Sequence, residues 1–134
     1  IGLCCYVWFS QLGFPHISLS FPYKRQSPLT KQVKTYKNID DVWEEVYLLL
    51  EKWQDNKFSL GRNLYFHIPL FADPKWLVNT QDNHYLVEYN LMKDFNIPLA
   101  QDLDSADARR IEIFETINRE IKSIQIYMGE QNGK

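Results

Sequence analysis

Charge runs along this chain in blocks, and the blocks limit what each segment can become. The first 23 residues contain no Asp, Glu, Lys or Arg. The next stretch, from Lys24 to Lys37, holds five basic residues and no acid, and the segment after it is rich in acids. This order describes an uncharged strand-forming start, a basic connector and a helical remainder.

Leu3 to Phe9 is a continuous apolar run rich in β-formers, which suits a strand covered on both faces. After Gly13 and Pro15, His16 to Phe21 alternates, with Ile17, Leu19 and Phe21 on one side and His16, Ser18 and Ser20 on the other. The two runs together read as a hairpin. The connector from Lys24 to Asn38 has only Val33, Thr35 and Tyr36 as strand formers, enough for a short edge strand.

From Ile39 the period lengthens. Ile39, Trp43, Val46, Leu50 and Trp53 recur at three and four residues, Asn38 can cap the helix, and the acids cluster in its first turns. Gly61 then breaks the chain, and Asn63 to Phe71 alternates as a strand, with Pro69 confining it to an edge. A second helix is expected over about 82–95, with Tyr85, Tyr89, Met92 and Phe95 on its stripe, Asn96 as a left-handed stop and Pro98 beyond. The third helix starts at Asp104 or Ser105. Its stripe is Ile111, Phe114, Ile117, Ile121, Ile124 and Met128, and the tail from Gly129 is expected to fray. No repeat or low-complexity segment interrupts the chain, and at 134 residues one core and one domain are expected.

The apolar content of 45%, with 15% aromatic residues, is far above that of a disordered chain. A net charge of -2 and a pI near 5.9 argue against a protein that coats nucleic acid. The adjacent Cys4 and Cys5 make no disulfide framework and suit free thiols in a reducing, cytoplasmic setting. Ile1 to Phe9 is too short for a membrane span, no basic residue precedes it, and Val7 stands where an acylation signal wants Ser or Thr.

Several residue groups carry chemistry in principle. Lys24, Arg25, Lys31, Lys34 and Lys37, beside Tyr23 and Tyr36, offer phosphate contacts and a stacking ring, which Arg109 and Arg110 would extend. Lysines also guard sheet edges, however, and the acidic helix next door weakens the field. His84 and Glu88 lie four apart on one helix face but lack a third metal ligand, and His67 reads as a histidine at a sheet surface. Asp102, Asp104 and Asp107 lack the glycine and distal Glu of a calcium loop, so Asp104 reads as a cap and Asp107 as a first-turn acid. There is no glycine-rich phosphate loop, nucleophile elbow, zinc spacing or dinucleotide fingerprint.

The resulting expectation is an α+β fold, a small mainly antiparallel sheet with three helices packed on one face. Its function would be protein interaction or assembly, without cofactor or metal. Self-association would use the third helix, where Ile113, Ile126 and Tyr127 widen the apolar face. The alternatives are a nucleic-acid-binding accessory factor using the connector and a small enzyme with a histidine pocket. Richness in Asn, Ile, Lys and Tyr points toward AT-rich coding sequence and so toward a phage or mobile-element accessory protein.

Overall fold

The computed structural model describes residues 1–54, 57–98 and 107–133. Among these residues it has α and β parts, but with five helices instead of three and a sheet of only two antiparallel strands. In chain order these are α1 (Gly2–Leu12), β1 (Tyr23–Gln26), β2 (Val33–Tyr36), α2 (Ile39–Lys52), α3 (Leu60–His67), α4 (Thr80–Asp94) and α5 (Ala108–Asn132). Short 3-10 turns at Ile68–Leu70 and Pro74–Leu77 link α3 to α4.

Both additional helices replace expected strands. The run from Leu3 to Phe9 lies within α1, because a segment apolar on every side can be buried as a helix as readily as in a sheet interior. Cys4, Cys5 and Phe9 enter one hydrophobic cluster while Val7 and Trp8 enter a second, so α1 runs through the middle of the molecule. Gly13, at φ 103°, ends the helix and donates its N–H to the Phe9 carbonyl at 2.7 Å. From His16 to Phe21 the expected alternation is present, with Ile17, Leu19 and Phe21 half-buried, but the segment pairs with no strand among the described residues.

The second replacement comes from a period that two structures share. Leu64, Phe66, Ile68 and Leu70 alternate, yet they are also two pairs four residues apart. In α3 and the turn after it, Leu64 and Ile68 are fully buried while Phe66 and Leu70 are exposed. Ser59 caps α3 by accepting the Arg62 N–H at 3.3 Å, so Gly61 sits inside the first turn and does not break the chain.

The remaining helices follow the expectation with shifted details. Asn38 caps α2 through the Asp41 N–H, but the inward stripe is Val42, Val46, Leu49 and Trp53, with Trp43 and Leu50 on its flank. Asn79 caps α4 in a reciprocal box with Asp82, and Asn96 stands at φ 52° as the left-handed stop. Asp107, not Asp104 or Ser105, caps α5 by accepting the Arg109 N–H at 3.0 Å; Asp102, Asp104 and Ser105 lie outside the described residues. The helix continues past Gly129 to Asn132, a length of about 38 Å at the usual rise.

Candidate functional site

The basic block folds into the β1–β2 hairpin, and its cations do not make one surface. Tyr23 pairs with Tyr36, Lys24 with Thr35, Arg25 with Lys34 and Gln26 with Val33. Tyr23, Arg25, Lys34 and Tyr36 therefore share the face that carries the buried Tyr36, and Lys24 points to the other face. Lys34 is committed inward: its Nζ lies 3.5 Å from Oε2 of the buried Glu45 and 5.4 Å from the Tyr36 ring centroid. Oε1 of Glu45 accepts a short hydrogen bond from the Ser27 hydroxyl, whose oxygen accepts the Leu29 and Thr30 N–H groups at 3.1 Å each. One carboxylate of α2 thus holds the whole hairpin loop.

Neither tyrosine is available to stack on a base. Tyr36 is fully buried, and Tyr23 lies on it at 5.2 Å with Phe21 and Trp76 around it. Burial pushes the Tyr23 hydroxyl up to about 12 and the Tyr36 hydroxyl upward too, where the Glu45 carboxylate adds to the effect. Lys31 sits in the loop at φ 65°, and Lys37 donates its backbone N–H to the Asp41 carboxylate at 2.7 Å. Arg110 pairs with Glu88 on α4, while Arg109 lines a cleft of about 310 Å³ of mixed character, with Asp82, Glu112 and Thr116 beside Leu3 and Ile113.

Helix α5 carries the second group of expected site residues, and the structure separates them. Ile113 packs inward against the cluster around Val7 and Trp8. Tyr127 does the same, 5.8 Å from the Trp8 ring and 5.4 Å from Phe66. Only Ile126 is exposed, and its neighbours one turn away are Lys122, Ser123, Gly129 and Glu130, so it stands as an isolated apolar side chain. The end of α5 is tied down by Arg62, whose guanidinium lies 4.1 Å from the Phe58 ring and 5.4 Å from Tyr127 and pairs with Glu130 at 3.3 Å.

Beneath these contacts lies a feature absent from the expectations. Glu120 is fully buried, and its Oε1 accepts the Trp8 indole N–H at 2.9 Å and the Gly61 N–H at 3.2 Å, joining α1, α3 and α5 at one atom. Oε2 has no hydrogen-bond partner among the described residues, with Arg119 Nε 3.6 Å away. A Cβ on Gly61 would collide with the Trp8 ring and this carboxylate, so the site requires glycine.

The groups considered for catalysis are dispersed. His67 lies on a helix, not a sheet; its Nδ1 is 2.7 Å from the Asn63 carbonyl and its ring 5.0 Å from Trp53. His84 is exposed on α4, and its neighbour Glu88 is held by Arg110. No group of three metal-binding side chains occurs among the described residues. Burial raises the thiol of Cys4 to about 11 and that of Cys5 to about 12, which keeps both protonated at neutral pH.

Among the described residues, one exposed apolar surface lies on α4. Val87, Leu91 and Phe95 recur every four residues as an outward ridge, exposed by 47%, 49% and 69%, and Ile97 continues it at 52%. Phe95, expected on the inward stripe, therefore belongs to the outside. Beside the ridge runs an apolar groove of about 310 Å³ lined by Tyr89, Met92, Lys93, Ile97 and Phe114. The signal for the ridge was legible as a second apolar set at spacing four. No family model, curated protein or solved structure matches the chain.

Proposed function

We propose that the protein is an assembly module that pairs with a second copy of itself through the outer face of α4. The observation that carries this reading is the ridge of Val87, Leu91 and Phe95 lying beside the groove of Tyr89, Met92, Ile97 and Phe114. A ridge next to a groove of like chemistry is self-complementary, since a two-fold axis lays each ridge against the other copy's groove.

Removing a large apolar side chain wholly from water stabilises by about 1.5–3 kcal/mol, so a half-exposed one adds roughly 1 kcal/mol. Four such side chains on each copy give on the order of 8 kcal/mol against an association cost of about 4–15 kcal/mol. The dimer is therefore weak and concentration-dependent. A nucleic-acid role has less support, because Lys34 is committed to Glu45 and both tyrosines of the hairpin are packed away.

Sedimentation velocity from micromolar to millimolar concentration tests the assignment. Wild type should pass from monomer to dimer, the Leu91→Glu/Phe95→Glu variant should stay monomeric with an unchanged circular dichroism spectrum, and Ile126→Glu should behave as wild type. A wild type that is monomeric throughout, or a dimer lost in Ile126→Glu but kept in the α4 variant, overturns it.

A further inference from the structure

The two-stranded sheet has no interior strand, so both of its strands are edges. The Ser27 N–H donates to the Gln32 carbonyl at 2.9 Å, which makes Ser27 and Gln32 a hydrogen-bonded pair. By the alternation of an antiparallel ladder, Arg25 with Lys34 and Tyr23 with Tyr36 are hydrogen-bonded pairs too. Lys24 and Gln26 therefore turn their backbone N–H and C=O groups outward along the free edge of β1, and no backbone hydrogen bond from the rest of the described chain reaches them. Lys24, Arg25 and Gln26 are all exposed.

The β2 edge differs in charge. Its lysine is held by Glu45, and the backbone that follows is fastened to Asp41 at the start of the acidic helix α2. On β1, by contrast, neither Lys24 nor Arg25 has an ion-pair partner among the described residues.

We propose that the free edge of β1 accepts an extended acidic peptide as a third antiparallel strand. The backbone of the guest would exchange hydrogen bonds with Lys24 and Gln26, and two adjacent acids would lie opposite Lys24 and Arg25, one on each face of the sheet. The same two cations oppose edge-to-edge pairing between copies of this chain, which would set Lys24 and Arg25 against their own counterparts. A nucleic acid is the poorer fit, because base stacking has no free ring here and only two cations line the edge. This surface is separate from α4, so its failure and that of the dimer are read independently.

Fluorescence anisotropy with a labelled hexapeptide of sequence Thr-Val-Glu-Glu-Val-Thr tests the proposal. The peptide should bind with an affinity that falls about tenfold when Gln-Gln replaces Glu-Glu, or when Lys24→Glu and Arg25→Glu are combined in the protein. N-methylation of the guest amides that face Lys24 and Gln26 should weaken binding as much, while Lys31→Glu, beyond the end of the strand, should leave it unchanged. The Lys24→Glu/Arg25→Glu protein should in turn prefer a Lys-Lys peptide. Absence of binding, equal binding of the N-methylated peptide, or tighter binding of an oligothymidylate of the same length would each overturn the assignment.

Discussion

Glu45 and Glu120 are both buried carboxylates, and the molecule compensates them in different ways. Glu45 lies under the hairpin, takes the Ser27 hydroxyl on one oxygen and meets the Lys34 ammonium on the other, and that lysine is itself one-third exposed. Glu120 lies among helices and is held by the indole N–H of Trp8 and the first-turn N–H of Gly61, with one oxygen left without a hydrogen bond among the described residues. The first meets a lysine at the rim of the core; the second takes two neutral donors at the start of a helix, where the dipole favours negative charge, with the mostly exposed Arg119 guanidinium 3.6 Å from its other oxygen. Loss of the second should cost more, because its donors have no water to turn to.

The comparison breaks most sharply at Gly61. Gly61→Ala should lower the unfolding free energy by about 4 kcal/mol or more in urea titrations, because the new methyl displaces the Trp8 ring and opens both hydrogen bonds to Glu120. Glu120→Ala should follow at about 3–4 kcal/mol, leaving the Trp8 and Gly61 donors unpaired in the interior, whereas Glu120→Gln, which still offers them an oxygen, should stay within about 1 kcal/mol of wild type. If Glu120→Ala and Glu120→Gln are equally harmful, the charge matters and not the acceptor.

Alkaline stability sharpens the same contrast. The Cys4 thiol is raised from 9.0 to about 11, first by burial and next by the Glu120 carboxylate. A raised folded-state value means that the protonated thiol contributes fully below pH 9, and that this contribution is lost as pH climbs from 9 through about 11. Thermal melts should be flat from neutral pH to pH 9 and fall beyond it, with a shallower fall in Glu120→Gln. The smallest effect is expected at the rim: Lys34→Ala should cost no more than about 1 kcal/mol, since the Ser27 bond to Glu45 survives and the lysine is partly solvated.

Several features were legible in the sequence because they are local. Asn38 and Asn96 act at helix ends through their own backbone neighbourhood, the acids after Asn38 sit where the dipole favours them, and α4 and α5 keep most of their expected stripes, although Phe95 and Met128 at the ends of those stripes are exposed. The ridge of α4 leaves a signal of the same local kind, Val87, Leu91 and Phe95 at spacing four, but the inward stripe had claimed Phe95 and the ridge was missed. The failures have one physical origin. A run such as Leu3 to Phe9, apolar at every position, has no period to distinguish strand from helix, and alternation from Leu64 to Leu70 is equally a pair of four-residue spacings. Length did not resolve either segment.

The sequence by itself determined that a helix begins after Asn38, that another starts within about two residues of 82 and stops at Asn96, and that a large aromatic core must form, since these depend on capping, period and composition. Only the tertiary structure decided that α1 is a helix, that the basic block is the sheet, and that Glu120 meets Trp8 and Gly61 across 112 and 59 residues of chain. Those outcomes depend on what covers each face, and cover is supplied by residues far away along the chain, at spacings no local pattern records.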